Sequence, residues 1–292
     1  MRNTTASRNG NKELRAGGDL ASARRTTVTD TEGSGRLDPE GMVRAISDGI
    51  QKGRDGTYGS RDLADEKGSD ALIGILESMV GAETASTQRY ESIRSKETRG
   101  ANGLYTVNNA GMIFESTGKS AAIGILAYRV GDRAESLRVL DAIGLSVPRT
   151  SNGMLSSMPA SANVEGQVED NALVGILAYV LGDKEMASRQ LQCILSGSEI
   201  GENGMRLESE AYRGQDIFDE VISTYIKLET NALIGVLAGL LGDTALAKRQ
   251  MELIEKGTPK GKSGLYQSTN SRGKIETAAA NAAVGMLMTT LR

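Results

Sequence analysis

Two kinds of helix alternate along this chain, and their hydrophobic patterns distinguish them. The stretches "NALVGILAYVLGD" (171–183) and "NALIGVLAGLLGD" (231–243) are apolar on nearly every side, which is typical of helices buried all round. The stretches that follow, "DKEMASRQLQCIL" and "DTALAKRQMELIE", place apolar residues at helical spacing and charges on the other face. The pattern predicts buried inner helices, each paired with an outer helix that has one solvent-facing side.

These helix pairs recur along the chain with a period of about fifty residues. The mid-helix glycines Gly74, Gly124, Gly175, Gly235 and Gly285 are separated by 50, 51, 60 and 50 residues. With "LDPEGMVRAISDGI" counted as the first outer helix, ten helices alternate and form five pairs. Ala and Gly are frequent in the inner helices, where backbones must approach closely, so we expect an inner ring of helices inside a wider outer ring.

Glycines also mark the connections between these helices. Inner helices end in "VGD" or "LGD", where Gly allows a left-handed residue and Asp caps the next helix. Outer helices are followed by glycine loops such as "NGLY" and "SGLY", and then by a polar stretch. The fourth of these connections is the longest and carries many acidic residues, so it is either a partial lid or a solvated surface excursion.

Composition and charge limit the classes of function. The apolar content of 39% supplies a large core, and the net charge of −3 provides no field that would attract nucleic acid. Cys193 is the only cysteine, which excludes intrachain disulfides, and no apolar run is long enough to cross a membrane. We expect a soluble, cytoplasmic protein with a disordered, basic and polar arm over residues 1–37 and a repeat domain over residues 38–292.

The chain contains no histidine, and this absence restricts its chemistry. Catalytic triads that depend on histidine, zinc sites with histidine ligands and imidazole acid–base catalysis are all excluded. Any reaction must use carboxylates, Tyr, Lys, Arg or hydroxyl groups. We therefore predict neither a metal ion nor a cofactor.

A family resemblance follows from the repeat unit. The stretch "NGLYTVNNAGMIFESTGKSAAIGILAYRVGD" (102–132) and its near-copy "SGLYQSTNSRGKIETAAANAAVGMLMTTL" (263–291) resemble the repeat of the α/α toroids, especially the hairpin-barrel, glycosidase-like enzymes. The resemblance covers residues 38–292 and implies an all-α fold, an α/α toroid that is either incomplete or closed by five hairpins. The zinc prenyltransferases and terpenoid cyclases of this architecture are excluded, since the chain lacks histidine and a DxDD motif.

The resemblance also implies a substrate cavity where the inner helices begin. Carboxylates there could serve as general acid and as base or nucleophile on a glycosidic bond, and the catalytic candidates are Glu169, Asp170 and Glu229. The ligand-binding candidates are Asn171, Asn231, Asn281, Glu115, Glu276, Tyr58, Tyr105 and Tyr266. Helix capping is the alternative role for the Asp, Asn and Glu residues, and covering the end of the core is the alternative for the tyrosines.

Two classes of function therefore remain open at this point. The first is a carbohydrate-active or related small-molecule enzyme that uses carboxylate chemistry and is similar to a glycoside hydrolase, a lyase or an epimerase. The second is a non-catalytic module for binding or assembly, built as a toroid or as a tetratricopeptide-like solenoid, and compatible with a homo-oligomer. The aromatic content of only 3% favours the second, because sugar sites usually display aromatic rings.

Overall fold

The computed structural model describes most of the repeat region. It covers residues 37–50, 68–109, 112–159, 167–213, 220–270 and 273–292, all of which belong to one unit of the chain. The predicted N-terminal arm, residues 1–37, lies outside the described residues except for Leu37. Within the described ranges, no helix is long and apolar enough to cross a membrane.

Ten helices and six short strands follow one another in the described part of the chain. The helices are α1 (Pro39–Gly49), α2 (Ser69–Met79), α3 (Glu83–Lys96), α4 (Thr117–Arg129), α5 (Arg133–Ser146), α6 (Val168–Leu181), α7 (Lys184–Gly197), α8 (Leu228–Leu240), α9 (Thr244–Gly257) and α10 (Ala278–Thr290). The strands are β1 (Thr106–Asn109), β2 (Met112–Glu115), β3 (Leu207–Arg213), β4 (Glu220–Ile226), β5 (Gln267–Asn270) and β6 (Gly273–Glu276).

The even-numbered helices form a closed inner ring. Each packs against the next, from α2 through α4, α6 and α8 to α10, and α10 packs against α2. The inner helix α6 has eleven buried residues, whereas its outer partner α7 has four, as the two hydrophobic patterns predict. The predicted α/α toroid is thereby confirmed in its closed, five-hairpin form. The solenoid alternative is wrong, because an open stack would leave its first and last inner helices apart.

The repeat glycines allow the inner helices to approach closely. Each one faces a leucine of the next inner helix, so that a Cβ added at Gly175 would lie 2.6 Å from Cδ2 of Leu237. The same contact closes the ring, since a Cβ at Gly285 would lie 2.7 Å from Cδ2 of Leu76. A side chain at these glycines would force neighbouring helices apart, which confirms the role predicted for the small residues.

Helix α1 completes the fifth hairpin by packing against α10 from the other end of the chain. Sδ of Met42 lies 3.3 Å from the position that a Cβ at Gly285 would take. In the α4–α5 hairpin the corresponding outer residue is Val139, which faces Gly124 in the same way. A surface ion pair between Arg292 and Glu40, at 3.1 Å, also joins the two ends.

Tight turns join the linked helix pairs as predicted. Gly182 ends α6 with a φ of 98°, and the Asp183 side chain accepts a hydrogen bond from the backbone N–H of Met186. Only glycine adopts such a φ without strain, and the aspartate caps the first turn of the outer helix. Gly131 with Asp132 and Gly242 with Asp243 repeat this arrangement.

In the described ranges, three β-hairpins occupy connections that the sequence analysis left as loops or polar stretches. Strands β1 and β2, β3 and β4, and β5 and β6 pair antiparallel. The longest hairpin, β3–β4, pairs Leu207 with Ile226 and Arg213 with Glu220, within the long fourth connection. Each hairpin follows an outer helix and precedes an inner one, so all three lie on the chain path to the inner-helix N-termini.

Candidate functional site

The inner-helix N-termini carry different residues at one equivalent position, six residues before each repeat glycine. This position is Gly68, Gly118, Glu169, Glu229 and Ala279 in chain order. The two glutamates therefore occupy matching places on the neighbouring helices α6 and α8, while the other three helices have small residues there. This asymmetry distinguishes one side of an otherwise repetitive ring.

A lysine joins the two glutamates into a Glu–Lys–Glu cluster, defined here as Glu169, Lys227 and Glu229. The ammonium of Lys227 donates a short hydrogen bond to Oε2 of Glu169 and lies 3.5 Å from Oε1 of Glu229. Glu169 is 1% exposed, and Glu229 and Lys227 are each 8% exposed. The structure thus brings together two of the predicted catalytic residues, which are separated by sixty positions in sequence.

Within this cluster, one oxygen of Glu229 has no hydrogen bond from the described residues. Oε2 of Glu229 is buried and has no hydrogen-bond partner in that part of the chain. A buried carboxylate oxygen without a donor is costly, so such an atom marks a place where a ligand hydroxyl or a water molecule would be stabilised.

Asp170, the third predicted catalytic residue, lies against a different neighbour. It is 3% exposed, and a Cβ at Gly118 of α4 would collide with its Oδ1 atom. The glycine of α4 therefore makes room for this carboxylate. The adjacent acids Glu169 and Asp170 contact different helices, α8 through Lys227 and α4 through Gly118.

A second buried lysine, Lys119, lies near the start of α4. Its ammonium is 2.7 Å from Oε2 of Glu97 and donates to the carbonyl oxygen of Thr106 at 3.2 Å. Sequence analysis missed both lysines. A signal for Lys227 did exist, because a cation at a helix N-terminus opposes the helix dipole and requires a compensating anion.

The three predicted ligand-binding asparagines connect the glycine loops to the inner helices. Asn171, Asn231 and Asn281 are fully buried. Oδ1 of Asn171 accepts the N–H of Leu155 at 2.7 Å, and its Nδ2 donates to the carbonyl of Leu155 at 3.0 Å. Asn231 and Asn281 make the matching pairs with Arg206 and Tyr266. Binding a ligand would break these bonds, so this arrangement supports the structural role.

Glu115 and Glu276 also hold their glycine loops. Oε1 of Glu115 accepts the backbone N–H groups of Asn102 and Leu104, each at 3.0 Å. Oε2 of Glu276 accepts the hydroxyl of Ser263 at 2.5 Å. Both carboxylates are engaged within their own repeats, and a ligand-binding role for them stays a prediction.

The predicted tyrosines are placed inside the protein. Tyr105 and Tyr266 are each 1% exposed, so neither ring presents a free face for stacking on a sugar. The hydroxyl of Tyr105 donates to Oε1 of Glu135 at 2.7 Å, and Lys260 Nζ lies 4.9 Å from the ring centre of Tyr266. These contacts favour the alternative role of covering the core. Tyr58 lies outside the described residues.

The pKa shifts around Tyr105 have a local cause. Burial by itself would raise the pKa of Glu135, but hydrogen bonds from Arg138 and Tyr105 outweigh it and hold the pKa below its usual range. Burial and the neighbouring Glu135 raise the pKa of Tyr105. This network joins the buried Glu135 and Tyr105 to two half-buried arginines and is structural.

A surface groove lies away from the Glu–Lys–Glu cluster. Its volume is about 580 Å³, and it lies between α9, α10 and α1, with Met251, Glu255 and Met288 among its lining residues. None of the cluster residues lines this groove. Across the described ranges, no group of three or more acidic or cysteine side chains is arranged to hold a metal ion.

Comparison with known proteins yields matches in structure but not in sequence. No protein-family model matches the chain, and no curated protein matches it. The GH76A α-1,6-mannanase from Salegentibacter sp. HEL1_6 is similar, with a TM-score of 0.52 and 12% identity over 87% of this chain and 97% of that enzyme. An inactive variant of the same mannanase, with two adjacent aspartates replaced by asparagine, was solved with α-1,6-mannotriose and has a TM-score of 0.51 at 12% identity.

A family 76 glycoside hydrolase from a bovine Bacteroides thetaiotaomicron strain is also similar. Its TM-score is 0.51 at 12% identity, and the match covers 78% of this chain. This chain spans 59% of the length of that enzyme. At such identities the likeness shows a shared α/α-toroid fold, and the fold alone does not assign an activity.

Proposed function

We propose that this protein is a carbohydrate-active enzyme whose reaction centre is the Glu–Lys–Glu cluster at the N-terminal ends of α6 and α8. The observation that carries the proposal is the pairing of Glu169 and Glu229 at matching positions on adjacent inner helices, with both in contact with Lys227. A pair of carboxylates that flank the scissile bond is the usual machinery of glycoside hydrolysis. The toroid fold shared with glycoside hydrolases agrees with this assignment.

The spacing of the two carboxylates suggests the type of reaction. Both contact one ammonium group, which fits the separation of about 5–5.5 Å used by retaining glycosidases better than the roughly 6.5–9.5 Å of inverting enzymes. In a retaining reaction one glutamate attacks the anomeric carbon, while the other protonates the leaving oxygen and later activates water. Oε2 of Glu229 is free of hydrogen bonds from the described residues and could face a sugar hydroxyl or the leaving oxygen.

α-Mannosides are the first substrates to test. The similar Salegentibacter enzyme is an α-1,6-mannanase, and replacement of two adjacent aspartates inactivates it. This chain also has two adjacent acids, Glu169 and Asp170, at an inner-helix N-terminus. We include Asp170 as an assisting acid, since its carboxylate lies on the α4 side of Glu169.

The test is hydrolysis of α-1,6-linked mannooligosaccharides and a panel of other neutral oligosaccharides by the full chain. We expect Glu169→Gln and Glu229→Gln each to lower kcat by about 100-fold or more while the protein stays folded. Glu185→Gln, at an exposed glutamate of α7, is the matched control and should keep the wild-type rate. Full activity in both cluster variants would refute the assignment.

A non-catalytic binding or assembly module is the second candidate, and the buried tyrosines favour it. Tyr105 and Tyr266 provide no stacking surface, and aromatic rings are scarce throughout the chain. This alternative predicts that no oligosaccharide is cleaved and that none raises the melting temperature of the protein. Thermal shift and product analysis on the same samples separate the two candidates.

A further inference from the structure

Lys227 occupies a position that is unusual for a cation. It is the residue at the N-cap of α8, and its side chain makes no capping hydrogen bond. At the equivalent position, Ser116 caps α4 and Thr277 caps α10 through their hydroxyl groups. A lysine here gives up the cap and also opposes the positive end of the helix dipole. Its presence therefore requires another explanation.

The contacts of Lys227 supply that explanation. Its ammonium is bound between a carboxylate of α6 and a carboxylate of α8, and the lysine is 8% exposed. Burying an ammonium is costly unless anions compensate it, and burying two facing carboxylates is costly without a cation. The three groups therefore depend on one another, and the lysine links two inner helices.

We propose that Lys227 is a positioning residue, which holds the Glu169 and Glu229 carboxylates in a fixed arrangement for catalysis. This inference rests on the proposed function. Lys227 acts through the two glutamates and need not touch the reacting atoms. The two carboxylates repel each other. Loss of the ammonium would therefore let them move apart and change the separation on which the reaction depends.

Other charged groups near the inner-helix N-termini have contacts of their own. Asp170 of α6 lies against Gly118 of α4, and Lys119 of α4 pairs with Glu97. Arg206, which precedes β3, donates to the carbonyl oxygens of Ile194 and Ser198. Lys119 therefore offers a matched control, because it is a buried lysine at the same end of the ring with a different partner.

The first measurement is a double-mutant cycle in unfolding stability, which needs no substrate. Lys227→Met, Glu169→Gln and their combination are compared by urea denaturation at pH 7. We expect the unfolding equilibrium constant of the double variant to be at least about tenfold smaller than additive effects of the two single substitutions predict. Additive effects would overturn the proposal, since they would mean that the lysine does not hold the carboxylate. Lys119→Met combined with Glu169→Gln should be additive.

The second measurement is the pH–rate profile on any oligosaccharide that the wild type cleaves. Lys227→Met should lower kcat by about 100-fold with a smaller change in KM, and the acidic limb of the profile should move to higher pH. The shift follows because loss of a nearby positive charge favours protonation of carboxylates. Lys227→Arg should recover part of the rate, and Lys119→Met should leave the profile unmoved.

The two measurements separate the inference from the function on which it rests. If the wild type cleaves nothing, the proposed function fails, while the cycle still shows whether Lys227 holds Glu169. If the wild type is active and Lys227→Met keeps both its kcat and its pH profile, the positioning role is refuted and the proposed function stands.

Discussion

At the scale of single residues, the polar side chains at the inner-helix fronts divide into two groups according to their contacts. The amide of Asn171 bonds a backbone segment, and the carboxylate of Glu115 bonds a loop, so both serve the local fold. Glu169 and Glu229 instead meet a cation across two helices. The lysine thus joins the two glutamates across two repeats, whereas Asn171 and Glu115 bond within their own repeats.

Glu135 is a buried carboxylate with a structural role, and its charge leads to a prediction about stability. Its folded pKa lies below the unfolded value, so its contribution to stability is present above that unfolded value and is lost as pH falls through the folded pKa. We expect Glu135→Gln to lose about 1–3 kcal/mol of unfolding free energy at pH 7, because Arg138 and Arg99 lose their buried anion.

Urea unfolding at pH 7 and at pH 3 checks this expectation. The difference between wild type and Glu135→Gln should shrink at the lower pH, because the unfolded wild-type chain there takes up a proton on this carboxyl that folding would have to release. Glu185→Gln, which removes an exposed partner of Arg189, should change stability by less than about 1 kcal/mol at either pH. A gap that stays constant with pH would contradict the role given to the Glu135 charge.

At the scale of elements, the inner helices follow from their sequence because two physical requirements act on every repeat. The all-round apolar pattern of α6 requires burial, and Gly175 requires a close neighbour, which is Leu237 of α8. Both requirements are visible in the sequence, and so the ring and its helix pairs were predictable.

The hairpins were not predictable in the same way. Strand β5, "QSTN", is four residues long, polar and without alternation, so it carries no strand signal. Strand β4, "EVISTYI", does contain the β-branched and aromatic residues that favour strands, and this signal was missed. The hydrophobic pattern also could not predict the pairing of Lys227 with Glu169, since this pairing depends on how two helices sixty residues apart meet in space.

The close packing of the inner ring predicts opposite effects for two glycine-to-alanine variants. Alanine favours a helix over glycine by up to about 1 kcal/mol, so Gly144→Ala, with open space around it on α5, should be neutral or stabilising. Gly175→Ala would place a methyl group 2.6 Å from Leu237 Cδ2 and should cost about 1–3 kcal/mol, reduced by the propensity gain. The two variants are compared by their denaturant midpoints, which report stability as long as the m-values equal that of the wild type. Equal effects would contradict the close contact between α6 and α8.

At the scale of the whole molecule, the ring closes without a covalent link at one of its five hairpins. Helices α10 and α1 form this hairpin from opposite ends of the chain, through Met42 against Gly285 and through Arg292 with Glu40. The other four hairpins are joined by tight turns in which Asp183, for example, caps the outer helix. Asp38 caps α1 by accepting the N–H of Gly41, so the aspartate cap found in the other turns is already present before α1.

A circular permutant tests this closure. The chain would run from residue 51 to Leu291, continue through one added glycine into Asp38 and end at Ile50, which makes the α10–α1 hairpin covalent. Of the described residues only Leu37 and Arg292 are removed, with the exposed Arg292–Glu40 ion pair, and the new turn copies the Leu-Gly-Asp turn before α7. We therefore expect a cooperative thermal transition within a few degrees of the wild type. A second chain, residues 68–292, lacks α1 and should lose cooperative unfolding, since Met42 and Ile46 are buried against the ring. Circular dichroism during heating measures both, and a permutant that unfolds like the shortened chain would show that α1 does not complete the ring.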